Sequence, residues 1–533
     1  MKGPSKKYLP LLLGLACAFG VILGAKLDFS DYSGGLLSSN KKKEKLTRLI
    51  DYIEYEYVDE VNTDSIVDVT VNGILKNLDP HSVYIPEEEY ALLSENMQGD
   101  FVGIGVSFYN VNDTIAVIHA LEGGPSERVG IQGGDRILYA NGTPLFNQNI
   151  SSDSLTTHLK GEENTNVILK VLRKGEPELL EFKVRRGKVP LKSVDAAYML
   201  SDKLGYIKIN RFAETTHEEF RESLKELKKQ GATQLALDLR DNPGGYLSEA
   251  TSIADEFLKE DKLILMTKNN IGSVEKTYAT DNGIFENGKV FVLLNENSAS
   301  ASEIVAGALQ DNDQGTIVGR RSYGKGLVQR EMALGDGSAV RLTIARYYTP
   351  TGRSIQKPYD NGNKIYFNDY INRYKNGELV HKDSIQVDDS LKFTTPGGKT
   401  VYGGGGIIPD VFIPKDTNLE KETLTLLLRR GFFDRFIFEV LEGNREFYQS
   451  LSLEELKQLP LENEMVRELK AYAHNRDNKH PHPGFRLEVD TYLPVLKQYL
   501  KATMARQLFG TDAFEQIVNQ GDPAIEKLLE LSE

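Results

Sequence analysis

The sequence predicts a multidomain α/β protein, and three observations carry that prediction. At 533 residues the chain exceeds what one hydrophobic core serves, so several domains are expected. Between 205 and 318, apolar runs of strand length alternate with a helical stripe, the pattern of a layered α/β core. On either side lie a strand-rich stretch before residue 188 and helix-period patterns beyond Thr417.

The bulk composition narrows the function classes. Hydrophobic content of 40% and charged content of 26% are ordinary for a globular protein. A formal charge of −13 argues against a nucleic-acid partner, which would need a basic face. The one cysteine, Cys17, rules out an internal disulfide and gives no redox signal.

The N-terminus carries a targeting signal. Lys2, Lys6 and Lys7 precede an uncharged apolar run, 8–25, about long enough to cross a bilayer. Leu23-Gly24-Ala25 is a poor small-x-small cleavage site, so an uncleaved anchor is expected over a removed signal peptide. Apolar residues continue past Cys17, which disfavours lipidation there. The lysines put the first flank on the cytoplasmic side and the body outside: a membrane-anchored periplasmic protein of the cell envelope, or a secreted one if cleaved.

Taken in order, 30–40 is a Gly/Ser-rich tether. Leu46, Leu49, Ile50, Ile53 and Tyr57 recur at helical spacing, and a second helical pattern from Asp64 stops at Asp79-Pro80-His81-Ser82. From Gly103 the chain becomes β-rich, with runs at 115–118, 136–139 and 167–172 separated by turns such as Asn141-Gly142. Further on, 205–209 reads as a strand. Thr216 with Glu219 reads as a capping box, and Phe220, Leu224 and Leu227 form an apolar stripe ended by Gly231. Strands follow at 235–240, 290–294, 316–318 and 340–344.

Three short motifs carry chemistry. The strand at 235 runs into Asn242-Pro243-Gly244-Gly245, where glycines let backbone approach a ligand closely and offer N–H groups. The strand at 290 runs into Ser298-Ala299-Ser300-Ala301-Ser302-Glu303 at the start of a buried helix. That junction presents hydroxyls at the mouth of a sheet and aims helix N–H groups at a developing negative charge, although such serines also serve as plain caps. Gly324-Lys325-Gly326 with Gln329 follows the strand at 316; it lacks the phosphate-loop pattern, and in isolation it is a lysine in a turn.

Two resemblances tie these pieces together. The glycine loop of Phe101, Val102, Gly103, Ile104 and Gly105, the turn from Pro125 to Gly130-Ile131, and Gly134-Asp135-x-Ile137 stand in the order of a PDZ domain over about 98–188. That resemblance implies a nest of backbone N–H groups receiving a peptide C-terminus, which adds a strand to a sheet edge. With this domain upstream, the three motifs resemble the carboxyl-terminal processing peptidases, or tail-specific proteases, over about 44–415. The family implies a Clp protease/crotonase-like core, Ser300 as nucleophile, Lys325 as base and Gln329 as the residue orienting the lysine. An oxyanion hole would come from the backbone of Gly244 or Gly245 with Ala301, with no cofactor and no metal. The implied division is 1–28 signal anchor and flank, 29–40 linker, 41–95 helical N-terminal module and 96–188 PDZ domain. A protease core at 189–416 follows, with an insertion at about 356–400, and then a helical C-terminal region at 417–533.

The chemistry supports the pairing independently. A serine hydroxyl needs a base beside it, and a lysine serves only when neutral, far below its free pKa of about 10.4. A dry site lowers it, and a glutamine amide accepts its hydrogen bond without adding a charge, whereas a carboxylate would favour the protonated form. No Gly-x-Ser-x-Gly elbow is present, and His119, His158 and His217 show no acidic partner in the sequence. The four glycines at 403–406 read as a flexible turn, and His480-Pro481-His482 is too sparse for a metal site. The stripe of Leu493, Leu496, Leu500 and Met504 and the cap Asp522-Pro523 suggest core packing or contact with another protomer or the PDZ-like domain. The expected function is a serine endopeptidase acting on protein or peptide substrates with free C-termini. The alternatives are a non-catalytic tail-binding adaptor and a crotonase-like acyl-CoA enzyme, the latter disfavoured by export.

Overall fold

The structure, a computed structural model, describes residues 41–146, 152–360, 362–416, 427–477 and 489–533. The expected anchor and tether and His480-Pro481-His482 lie outside the described residues. The described chain divides between Ile74 and Leu75. Before the division lie the helix Lys41–Glu56 and most of Thr63–Leu75; Leu49 and Tyr57 of the first stripe are exposed.

Beyond it, the core is a six-stranded sheet in the order Val194–Met199, Leu204–Ile209, Gln234–Asp238, Lys289–Leu294, Gly315–Gly319, Val411–Phe412. The first pair is antiparallel and the rest are parallel. These strands read as continuous apolar runs because both faces are covered. On one face pack the helices Thr216–Lys229, Leu247–Asp255 and Ala301–Asp311, with Phe220, Leu224 and Leu227 buried as their spacing predicts. The first of these helices starts one residue from the expected cap. Thr215 occupies the N-cap and its hydroxyl reaches Glu219, whose other oxygen takes the N–H groups of Ser193 and Val194.

The opposite face is closed by the last helix, Pro523–Ser532. Ala524, Ile525 and Leu528 pack on Tyr206, Phe291, Leu293 and Val318. Asp522 caps it as expected, accepting from the Ala524 N–H at 2.8 Å.

A second sheet holds Val83–Ile85, Ala339–Tyr348, Leu263–Asn269 and Val274–Tyr278, with Leu327–Ala333 paired to Ala339–Tyr348. The segment after Asp79-Pro80-His81-Ser82 therefore adds a strand to one edge of Ala339–Tyr348, whose other edge pairs with the strand carrying Gln329. The PDZ-like stretch is a sheet of Val106–Val111, Thr114–Ala120, Arg136–Ala140, Asn166–Leu172 and Leu180–Arg185 over its own core of Ile104, Ile115, Ile137, Val167 and Val184. The C-terminal helices form a further core around Phe433, Ile437, Leu496, Leu500 and Met504. They brace the PDZ sheet, where Phe438 packs on Val111, Ala116 and Ile118 and Glu442 binds Arg136 at 2.8 Å.

Candidate active site

Ser300 sits where the strand Lys289–Leu294 gives way to the helix Ala301–Asp311, with φ 55° and ψ −111°. A non-glycine residue in that region is strained, and strain of this kind persists only where the surroundings over-determine it. The strand-to-helix placement is that of a nucleophile elbow, although Ser298 and Ser302 stand at i±2 where the usual motif has glycine. Its neighbours supply the constraint. Ala299 N–H donates to Asn242 O at 3.0 Å, and Ser300 N–H to Glu303 Oε2 at 2.9 Å. The two outer serines are fully buried, and their hydroxyls donate to main-chain carbonyls: Ser298 to Leu239 at 2.8 Å and Ser302 to Asn242 at 3.0 Å. Ser298 thus ties the turn to the end of the preceding strand and Ser302 to the neighbouring loop, while Ser300 takes the N-cap of the helix in a capping box with Glu303.

That loop is Asn242-Pro243-Gly244-Gly245. The buried Asn242 side chain holds Ile209 O at 2.9 Å and accepts the Gly244 N–H at 2.8 Å, so the Gly244 donor is engaged within its own turn. A Cβ on Gly244, at φ 105°, would lie 2.8 Å from Ser300 Cβ; one on Gly245 would lie 2.1 Å from Phe212 O. Only glycines let the loop come this close. Among the described residues, the N–H groups of Gly245 and Ala301 find no main-chain acceptor.

The lysine turn is joined to the serine turn by one carboxylate. Glu303, fully buried, accepts Ser300 N–H (2.9 Å) and Lys325 N–H (2.8 Å) on one oxygen, and Gly324 N–H (2.7 Å) and the Ser322 hydroxyl (2.5 Å) on the other. Burial pushes its carboxyl up, while these four donors favour the anion. Ser322 itself accepts from Ile407 N–H at 2.6 Å, which turns its own hydroxyl proton toward Glu303. The Tyr347 hydroxyl, also buried, reaches Lys325 O at 2.9 Å and Ser300 O at 3.2 Å. The glycines at 403–406 form part of this wall: Gly405 O accepts from Arg321 at 2.8 Å and Gly406 N–H donates to Ile355 O at 2.8 Å. They pack as a fitted surface, where the sequence suggested a loose turn.

Lys325 Nζ donates to Gln329 Oε1 at 2.6 Å. Burial, then the charge of Arg341, lowers the Lys325 amine to about 8, against the pull of Glu303 and Asp79. No hydrogen bond joins Nζ to Ser300 Oγ, and catalytic contacts of this kind commonly tighten only around a bound substrate. A second lysine, Lys357, is also lowered by burial to about 8. It faces Asp369 at 3.3 Å and the rings of Tyr323 (3.7 Å) and Tyr366 (4.3 Å), partners that favour its cation. Lys325 has only a neutral amide. His217 does meet a carboxylate, Glu256, at 2.7 Å, but Glu256 serves Arg221 and Ile284 N–H rather than a serine.

The PDZ glycine loop borders a groove of about 230 Å³. Phe101, Gly103, Ile104 and Gly105 line it, Val102 does not, and Thr156 and Leu159 form the opposite wall. Lys160 stands over the Phe101 ring at 5.1 Å and pairs with Glu95 of the helix Glu87–Gln98.

The sequence brought Ser300, Lys325, Gln329 and the glycine loop into view. It missed Glu303 as the link between the two turns; the capping-box spacing from Ser300 was the available signal. It also missed Lys160, Tyr347 and His81, for which local sequence offers none.

Residues 203–361 match the model of peptidase family S41, and residues 102–184 match that of the PDZ domain. Residues 423–510 match a family of unknown function, DUF8443. The chain is 32% identical over 355 residues to the "Probable CtpA-like serine protease" of Staphylococcus aureus (strain MRSA252), covering 66% of this chain and 70% of the relative. It is 32% identical over 344 residues to the carboxy-terminal-processing protease of Bartonella bacilliformis (strain ATCC 35685 / KC583 / Herrer 020/F12,63), covering 63% and 78%. Among solved structures, the photosystem II D1 C-terminal processing protease is 25% identical with a TM-score of 0.36, covering 70% of this chain and 86% of that one. The chain belongs to peptidase family S41, among the carboxy-terminal-processing serine proteases.

Proposed function

We propose that this serine peptidase cuts polypeptides near their C-termini with a Ser300/Lys325 dyad, after its PDZ domain has captured the free tail. The observation that carries the reading is the buried Glu303 carboxylate, which takes an N–H from each of the two turns and so fixes their separation around a dry pocket. The neutral Lys325 amine removes the Ser300 hydroxyl proton as Oγ bonds to the substrate carbonyl carbon. The Gly245 and Ala301 N–H groups receive the developing oxyanion, and loss of one such donor costs about 3–4 kcal/mol of activation energy. The lysine returns the proton to the departing amine, leaving an acyl-enzyme. Water, deprotonated by the same amine, then releases the acid and regenerates the serine. Gln329 orients the amine without charging the pocket.

In the groove, the backbone of Gly103, Ile104 and Gly105 faces the tail carboxylate, and Lys160 offers a cation for which Glu95 competes. The lysine-flanked apolar segment supports an exported body tethered at the cell envelope. The test is cleavage of a tail peptide with a free or an amidated C-terminus by wild type, Ser300→Ala and Lys325→Arg. Both variants should be inactive and the amide a poorer substrate. Turnover by the arginine variant, which stays protonated, overturns the base assignment; a folded wild type that binds tails without cutting them points to an adaptor.

A further inference from the structure

We propose that His81 and Tyr366 are positioning residues for the Lys325 amine, so that the 356–400 insertion is the outer wall of the base pocket. The inference rests on Lys325 being the base.

A closed hydrogen-bond circuit leaves the lysine and returns to its own backbone. Lys325 Nζ donates to Gln329 Oε1 at 2.6 Å, and Gln329 Nε2 donates to the His81 carbonyl at 2.6 Å. The His81 ring shares a 2.6 Å hydrogen bond between Nε2 and the Tyr366 hydroxyl, which also accepts from Gln356 Nε2 at 3.3 Å. Gln356 Oε1 then accepts the N–H of Gly326, next to Lys325, at 2.8 Å. A glutamine amide has one accepting and one donating end. Because the His81 carbonyl only accepts, it takes the NH₂ end and turns the oxygen toward the lysine.

The carbonyl is itself fixed. Asp79 accepts the N–H groups of His81 (2.8 Å) and Ser82 (2.9 Å), and Thr343 reaches Asp79 at 3.1 Å, so the 79–82 loop is pinned to the strand paired with that of Gln329. Tyr366 is 2% exposed and stands edge-on to the His81 ring at 5.2 Å, with Lys357 above it. Remove either ring contact and the loop, the amide and the water-excluding wall loosen together. The charged or titratable groups around the amine are Arg341, Glu303, Asp79, His81 and Lys357, with Asp369 behind Lys357. Burial, then Lys325, pulls His81 down to about 4, so it remains neutral while the lysine titrates.

The experiment compares full-length wild type, Tyr366→Phe, His81→Phe and the double variant. It follows kcat/KM on a tail peptide and the rate of Ser300 labelling by a fluorophosphonate across pH. In both single variants the rise in rate with pH should move upward by about one pH unit, toward an ordinary lysine. The double variant should shift no further, because both substitutions cut one contact. Slower turnover or a lower Tm with the rise unmoved would overturn the proposal and leave His81 and Tyr366 as mere packing. Activity in Lys325→Arg would remove the base reading itself, and this proposal with it. Should one single variant fail to fold, the other decides.

Discussion

The two turns that meet at the active site are built in opposite ways. The serine turn carries its own anchors: Ser298, Ser302 and Glu303 all lie within three residues of Ser300, and they tie it to Leu239, to Asn242 and to its own N–H. The lysine turn has little of its own. Its amine is set by Gln329, a carbonyl from His81 and a phenol from Tyr366, drawn from three stretches of chain. The nucleophile needs one rigid backbone geometry, which a short motif encodes. The base needs a low-dielectric enclosure, and walls come from wherever the fold passes.

The hardest test of this contrast is removal of either reacting group. Ser300→Ala and Lys325→Arg should each lower kcat/KM by about a millionfold, read as peptide turnover with the fold checked by circular dichroism. Next comes the shared link. Glu303→Gln turns an NH₂ toward N–H donors, and should cost about 3 kcal/mol of stability in denaturant unfolding while impairing both turns at once. If only the lysine side responded, the two turns would be less coupled than drawn.

Gly244→Ala tests the serine side alone. Its Cβ would meet Ser300 Cβ at 2.8 Å, and kcat should fall by about 100-fold with little change in the pH profile.

The lysine side has its own signature in pH. Burial lowers Lys325 to about 8, and the active form is deprotonated, so the rate should rise with pH and level off above about 8. Below that, each unit costs about tenfold, because the neutral fraction falls by that factor. The sign is the reverse of a salt-bridged lysine, whose pairing favours the cation. A flat profile from pH 6 to 9 would contradict the dry-pocket account.

The smallest effects lie at the PDZ groove, upstream of both turns. Lys160→Ala should weaken binding of a free-ended peptide by about tenfold, and Glu95→Gln should tighten it, both read by fluorescence anisotropy.

Much of the fold was legible because core strands declare themselves. The run 290–294 is apolar throughout, and 235–239 is broken only by Asp238, as strands covered on both faces tend to be. The amphipathic stripe of Phe220, Leu224 and Leu227 was equally plain. The helix start was misjudged by one residue because Thr215 and Thr216 are both competent caps, and the contact of Glu219 with Ser193 and Val194 is long-range. The glycines at 403–406 looked loose because nothing local reveals the turn they pack against. Asp238 and Arg240 tie the last helix to the sheet through Asp522, a long-range contact that the strand reading of 235–240 does not contain.

By itself the sequence determined the family and pointed to Ser300, Lys325 and Gln329 as its proposed nucleophile, base and orienting amide, because each depends on residue type and spacing within a short motif. Tertiary structure decided what the two outer serines bind, which glycine N–H is already engaged, and what encloses the lysine. Those outcomes turn on hydrogen-bond partners and water exclusion supplied by segments far apart in the chain, and such contacts leave no periodicity for the sequence to show.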